Sequence, residues 1–186
     1  MKKIFVTVIA LALAAGAAFA QDLAQVTELY NNGAAALSLG KKAEALENFV
    51  QALSAAEALG ADGEEVVANC KNAIPKVNLS LAKDLVKAGN FDEAIAKCKA
   101  NVAQALDFGE VETADDLTKL IGTALQLKGN ALLTSKKFEE AVEVFNEMLA
   151  SDETNGSAAL RLGQALGALG RNDEAIAAFE KAAANG

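Results

Sequence analysis

The stretch that decides the fold is GNALLTSKKFEEAVEVFNEM, from Gly129 to Met148. The same pattern recurs without gaps as GQALGALGRNDEAIAAFEKA from Gly163, AKDLVKAGNFDEAIAKCKAN from Ala82 and GAAALSLGKKAEALENFVQA from Gly33. Each copy opens with a small residue, has an alanine twelve residues later, and has a larger residue four residues after that alanine. The alanines are Ala45, Ala94, Ala141 and Ala175, and the larger residues are Phe49, Cys98, Phe145 and Phe179. A fixed pattern repeated four times indicates an internal structural repeat.

Each copy is expected to form two antiparallel helices joined by a short turn. A small residue on each helix lets the two backbones approach closely, and the larger residue fills the space beside that contact. Three copies carry a glycine between the two halves, at Gly40, Gly89 and Gly170, where it can end the first helix in a left-handed cap. Ala, Leu, Glu and Lys dominate the composition and favour helix throughout.

The small residue, the alanine and the aromatic residue at these spacings resemble the tetratricopeptide repeat family. The interval from Ala141 to Ala175 is 34 residues, which is the usual period of that family. The resemblance covers about residues 25–183 and implies an all-α solenoid of antiparallel helical hairpins, wound as a right-handed superhelix. It also implies that a protein or peptide ligand is held in the concave groove.

The first two repeats are longer than the family's period. The interval from Ala45 to Ala94 is 49 residues and that from Ala94 to Ala141 is 47, and the added segments 64–74 and 111–121 alternate apolar and polar residues at helical spacing. We therefore expect hairpins at about 25–59, 64–107, 111–150 and 155–184. Pro75 and Gly122 lie where each added segment joins the standard repeat, so the helix is expected either to kink or to break there.

The chain is acidic, with a net charge of -8. Without Lys2 and Lys3 of the first twenty residues, 15 basic residues face 25 acidic ones, which gives -10. A chain of this charge is repelled by phosphate backbones, so nucleic acid is not expected as a partner.

Residues 1–20 have the layout of a secretory signal peptide. Lys2 and Lys3 precede an apolar stretch, and Ala18 and Ala20 supply the small residues of a cleavage site. The alternative is a membrane anchor, because the apolar run of 17 residues is at the short end of the spanning range. The signal predicts an exported bacterial protein, periplasmic or extracellular, which has no membrane attachment after cleavage.

The sequence offers no basis for catalysis. It contains no histidine, so neither a histidine base nor a histidine metal ligand is possible, and two cysteines cannot build a four-ligand zinc site. We therefore expect no enzyme, no catalytic residues, no cofactor and no metal. Cys70 and Cys98 lie about 15 Å out of register along adjacent helices, so both are expected to be free thiols.

The family resemblance places the first helix of each hairpin along the binding groove. Some family members hold a peptide's terminal carboxylate with a Lys/Asn/Arg clamp, and Lys83, Asn130 and Arg161 have these residue types, although they do not occupy that clamp's positions. Bases and amides without an acid in the middle of the groove predict an acidic protein or peptide ligand. The candidate binding residues are Lys83, Lys87, Gln126, Asn130, Arg161 and Gln164.

An alternative function is structural self-assembly. The last helix of the repeat pattern runs from about Asp173 to Ala183, and no further helix follows to cover it. Ile176, Phe179 and Ala182 lie near one face of that helix, and part of this face is expected to pack on the first helix of the same hairpin. One interpretation is a weak homo-oligomer formed through the C-terminal hairpin; the other, which we favour, is a solvated end rich in alanine, because small side chains bury little area.

Overall fold

A computed structural model describes residues 23–186 of the chain, and the predicted signal peptide lies outside these residues. The described chain is all-α, with eight α-helices, one short 3-10 helix at Gly60–Gly63 and no strand. The helices form four consecutive antiparallel hairpins, numbered here hairpin 1 to hairpin 4. Their bounds are α1 Leu23–Ser38, α2 Lys42–Ala58, α3 Glu64–Lys87, α4 Phe91–Asp107, α5 Val111–Thr134, α6 Phe138–Ser151, α7 Gly156–Ala168 and α8 Asn172–Asn185.

The turn inside each hairpin places one residue in the left-handed region. Gly40, Gly89 and Gly170 have φ angles of 75°, 79° and 74°, which glycine adopts without steric cost. The third hairpin has Lys136 at this position, with φ 58°. In all four turns the next residue's N–H donates to a carbonyl one turn back in the first helix, as Lys137 does to Leu132 at 2.9 Å.

The small residue that opens each repeat lies against the larger residue of the second helix. A Cβ atom added to Gly129 would lie 2.5 Å from Cζ of Phe145, and one added to Gly33 would lie 2.8 Å from the ring of Phe49. The four repeat alanines are all buried. The close backbone approach predicted from the repeat is therefore present in the fold.

The two longer repeats are accommodated in longer helices. Helices α3 and α5 have 24 residues each, whereas α7 has 13. Pro75 is buried inside α3, and Gly122 lies inside α5, but both helices continue through these positions. Of the two alternatives, a kink or a break, the break is wrong: burial of Pro75 and packing of the helix outweigh one missing hydrogen bond.

The hairpins stack so that the first helices form a continuous layer. Within residues 23–186, the backbones of α1 and α3, of α3 and α5, and of α5 and α7 approach with Cα atoms within 8 Å of each other, whereas the backbones of successive second helices do not. A long side chain spans one of those wider gaps, where Lys99 on α4 donates to Glu147 on α6 at 2.8 Å. The layer in which the helices lie closer together is the inner side of a curved stack, so the first helices line the concave face.

Both cysteine thiols are free and buried, as their spacing predicted. Cys70 on α3 packs in the core of hairpin 1, and Cys98 on α4 packs in the core between hairpin 2 and α5. Burial raises the pKa of Cys70 to about 11 and also raises that of Cys98. The two thiols act as core side chains in this fold.

Candidate functional site

Lys83 and Lys87 lie one turn apart on α3, and both are exposed. Within residues 23–186, neither forms an ion pair. The neighbouring acid, Asp84, instead accepts a hydrogen bond from Lys42 of α2. That bond, together with the charges of Lys42 and Lys87, lowers the pKa of Asp84. Lys42 therefore holds the nearest carboxylate, and the two α3 lysines remain available to an acidic ligand.

Gln126 and Asn130 are half-buried one turn apart on α5. Gln126 donates to the hydroxyl of Ser157 on α7 at 3.3 Å, so this amide joins two helices of the concave layer. The side-chain oxygen of Asn130 is buried and accepts no hydrogen bond from the described residues. A buried polar atom without a partner is uncommon in native proteins and costs stability.

Arg161 and Gln164 lie on α7 and contact each other. Nη1 of Arg161 donates to Oε1 of Gln164 at 3.0 Å, so the amide orients the guanidinium without neutralising its charge. No hydrogen bond or ion pair in residues 23–186 joins the α3 lysines to the α5 amides or to Arg161. The predicted residues therefore occupy three successive helices of one layer, with a direct hydrogen bond only between α5 and α7.

A polar link at the N-terminal end of α5 could not be predicted from the sequence. Glu110 precedes α5 and accepts a hydrogen bond from Asn72 of α3 at 2.5 Å, while its other oxygen lies 3.2 Å from Nζ of Lys76. This acid reaches the concave layer, where the sequence predicted bases and amides. Lys76 is thereby paired, in contrast to Lys83 and Lys87, and no spacing rule in the sequence would have distinguished them.

The C-terminal end of the stack has an exposed apolar face. Part of the α8 face packs on its own hairpin, where the ring of Phe179 lies against Gly163, but Phe179 is still 40% exposed. The equivalent residues of the first three hairpins, Phe49, Cys98 and Phe145, are at most 2% exposed. The reason is that in each earlier hairpin the next first helix covers the ring or thiol from the other side, and no described helix follows α8. The exposed apolar residues are Leu160, Ile176 and Phe179, which we call the terminal face.

Two other kinds of site are absent from the part of the chain that the structure describes. Residues 23–186 contain no cluster of three or more potential ligands that could hold a metal ion. No helix in the same range combines the length and the apolar character needed to span a membrane.

Residues 126–186 match the tetratricopeptide repeat family TPR_16. The match begins in the second half of α5 and includes α6, α7 and α8, which are the helices that carry the 34-residue interval. Residues 126–186 are therefore a tetratricopeptide repeat region. Hairpins 1 and 2, which precede the matched region, have the same left-handed turn and pair a small residue with a larger buried one, Gly33 with Phe49 and Ala82 with Cys98.

Several solved structures resemble the chain. MamA AMB-1 is 19% identical, covers 87% of this chain and 91% of its own length, and has a TM-score of 0.37. An aspartate-to-lysine mutant of MamA is 18% identical, with coverage of 88% and 98% and a TM-score of 0.39. MamA MSR-1 is 19% identical, with coverage of 87% and 95% and a TM-score of 0.35. A search of curated proteins found no significant match.

Proposed function

We propose that this protein is a scaffold that binds an acidic protein or peptide along its concave layer. The observation that carries the proposal is the pair of exposed, unpaired lysines, Lys83 and Lys87, on the inner helix α3 of an otherwise acidic chain. A basic patch in an acidic protein selects an acidic ligand, because the rest of the surface repels that ligand. Tetratricopeptide repeats form a non-catalytic protein-interaction fold, so the proposed activity is binding without chemistry.

The hydrogen-bonding groups of α5 and α7 support the same surface. Gln126 and Ser157 hydrogen-bond to each other, so they form a fixed polar surface between α5 and α7. Arg161 on α7 hydrogen-bonds only to the neutral amide of Gln164 among the described residues, so its charge is not neutralised. The ligand would therefore meet cations on α3 and α7 and amides between them. Such an arrangement suits an extended acidic segment better than a compact anion, because the cations are carried by helices that are not neighbours.

We further propose that the binding takes place outside the cytoplasm. This proposal rests on residues 1–20, whose two lysines, apolar stretch and small-residue cleavage site are typical of a signal peptide. Fractionation of cells that express the full chain, followed by N-terminal sequencing of the mature protein, tests it. Recovery of an uncleaved chain in the membrane fraction would favour an anchor instead.

Site-specific photo-crosslinking tests the groove directly. A photoreactive amino acid replaces Ala131 on α5 or Gln164 on α7, both exposed on first helices, and replaces Lys99 on α4 as a second-helix control. After irradiation of the exported fraction, the two first-helix positions should crosslink to the same protein, and the control position should not. Equal crosslinking from all three positions would contradict a concave binding site.

Self-assembly through the terminal face is a second candidate function, although the exposed acids Asp173 and Glu180 on the same helix oppose the pairing of two copies. Ile176 is 56% exposed, and its burial against another copy would stabilise a dimer. Light scattering after gel filtration tests this, with Ala177→Glu and Ala184→Glu as the disrupting changes on the exposed flank of α8. A monomer at high concentration would remove this candidate and leave the groove proposal intact.

A further inference from the structure

The terminal face reproduces a surface that is covered elsewhere in the same molecule. In hairpin 2, Leu79 is 8% exposed and Ile95 is 7% exposed, whereas their counterparts in hairpin 4, Leu160 and Ile176, are 44% and 56% exposed. The difference arises because α5 follows hairpin 2 and packs on it. The molecule therefore shows what chemistry such a face accepts.

Helix α5 covers hairpin 2 with a stripe of small and apolar side chains. Ala114 and Leu117 share a core cluster with Leu79 and Cys98, and Ala124 shares one with Ile95. Ile121 packs against both clusters. These residues recur at three- and four-residue steps, so they form one face of the helix.

An ion pair fixes the end of this contact. Lys128, one turn beyond Ala124, lies 2.5 Å from a carboxylate oxygen of Asp92 at the start of α4. The covering helix thus has two features: an apolar stripe, and a cation placed at the end where the second helix of the covered hairpin begins.

Hairpin 4 carries the same three side chains that α5 contacts on hairpin 2. The same residue types recur 81 residues later at the equivalent positions: Leu160 for Leu79, Asp173 for Asp92 and Ile176 for Ile95. Asp173 is exposed and has no hydrogen-bond or ion-pair partner among the described residues. An apolar face with an unpaired carboxylate at one end is therefore complementary to a helix like α5.

We propose that the terminal face binds an amphipathic helix of a partner protein in the way that hairpin 2 binds α5. The partner helix has small and apolar side chains at three- and four-residue steps and a lysine or arginine that pairs with Asp173. This interaction surface is separate from the concave groove, so it does not rest on the proposed acidic ligand. The two surfaces select opposite charges, acidic at the groove and basic at the terminal face.

A second copy of the chain is a poor occupant of this face. The first helix of another copy would have to take the place of α5, but its residues at the positions of Ile121, Ala124 and Lys128 are Gln25, Glu28 and Asn32, all exposed. Pairing two terminal faces would instead bring together Asp173 and Glu180 of both copies, which flank Ile176 on α8. Like charges so placed oppose association.

A peptide copied from α5 provides the probe. The peptide spans residues 114–134 and is closed by a lactam between Asp115 and Lys119, an i,i+4 pair at the end of the helix away from Lys128. The lactam is needed because an isolated helix of this length is marginal in water. Fluorescence anisotropy of the labelled peptide is measured against the full mature chain and its variants at low salt.

The expected result is saturable binding that depends on the charge pair. Asp173→Lys should weaken binding about threefold to tenfold, because an exposed ion pair is replaced by a repulsion of similar size. The peptide with Lys128→Glu should bind the Asp173→Lys chain as tightly as the original pair, while Ile176→Ser should weaken binding of both peptides. Because Ile176 and Asp173 are exposed, these variants should keep the helical circular dichroism spectrum of the original chain.

Three outcomes would overturn the proposal. The first is no saturable binding at millimolar peptide. The second is binding that neither Asp173→Lys nor Ile176→Ser changes, which would mean that the peptide exchanges with the chain's own α5 on hairpin 2. The third is a mass that doubles with concentration in the absence of peptide and is restored to the monomer by Ile176→Ser, which would assign the terminal face to a second copy.

Discussion

Two glycines on the same helix should respond differently to alanine. Gly129 and Gly122 both lie inside α5, seven residues apart. A Cβ atom at Gly122 would meet nothing within 4 Å, whereas one at Gly129 would lie 2.5 Å from Cζ of Phe145 and 2.7 Å from its Cε1. Ordinary carbon contacts are about 3.5–4.0 Å, so the ring would have to move by about 1 Å.

The magnitudes follow from two contributions. Replacing glycine by alanine inside a helix stabilises the folded state by about 1 kcal/mol, and this contribution is common to both positions. At Gly129 the added methyl also overpacks a ring that is 0% exposed and has no free space, which costs about 1–3 kcal/mol. Gly122→Ala should therefore raise the free energy of unfolding by about 1 kcal/mol. The free energy of unfolding of the Gly129→Ala variant should be about 1–3 kcal/mol lower than that of the Gly122→Ala variant.

Urea unfolding followed by circular dichroism at 222 nm measures the difference. A double-mutant cycle then locates its origin, since Phe145→Leu removes the atoms that the new methyl would meet. The cost of Gly129→Ala should be smaller in the Phe145→Leu background than in the original chain. Equal stabilisation by both alanine substitutions would refute the close approach of α5 and α6 on which the repeat assignment rests.

Three further predictions concern single positions. Lys136→Gly should stabilise the chain by about 0.5–1 kcal/mol. A lysine at φ 58° costs about 1–2 kcal/mol, and part of the gain from removing that cost is offset because glycine loses more conformational entropy on folding. Ser135→Gly, at φ -82°, is the destabilising control in the same urea experiment. Ala141→Leu should lower the free energy of unfolding by about 1–3 kcal/mol, because Ala141 is 0% exposed. Ala131→Leu, on the exposed side of α5, should be nearly neutral. An unchanged melting temperature for Ala141→Leu would mean that the repeat register assigned to α6 is wrong. Burial raises the pKa of Cys70 from 9.0 to about 11, so the unfolded chain releases this proton at a lower pH than the folded chain does. The free energy of unfolding should therefore fall as pH rises from about 9 to about 11. The fall should be shallower in Cys70→Ala, and an identical pH dependence would show that Cys70 has no part in it.

The order of the helices could be predicted from sequence because small residues, alanines and aromatics mark every close contact at a fixed spacing. Gly33, Gly129 and Gly163 had to be small, since the ring of the second helix occupies the position of their missing side chain. The continuity of α3 through Pro75 could not be predicted. A proline's local cost is visible in the sequence, but the packing that buries Pro75 on both sides is a tertiary effect.

The candidate groove could be predicted only in part, because the sequence does not show which charges are already paired. Lys76 and Lys83 lie on the same exposed stripe of α3, but Lys76 pairs with Glu110 from the next hairpin, 34 residues away, whereas Lys83 has no such partner among residues 23–186. The exposure of Phe179 could not be predicted from the sequence either. Its position in the repeat is that of a core residue, and its exposure follows from the neighbour that the described chain does not supply.

We propose that Lys83 and Lys87 make the concave layer selective for an acidic partner. The most direct test is the dissociation constant of the crosslinked partner for the mature chain, for the Lys83→Glu/Lys87→Glu variant, and for a Lys99→Glu/Lys181→Glu variant that has the same net charge but is altered on second helices. We expect the Lys83→Glu/Lys87→Glu variant to bind the partner at least tenfold more weakly than the original chain does. The control variant should bind nearly as tightly as the original chain, and added salt should weaken the original interaction. Equal weakening by both variants, or no weakening by either, would contradict it.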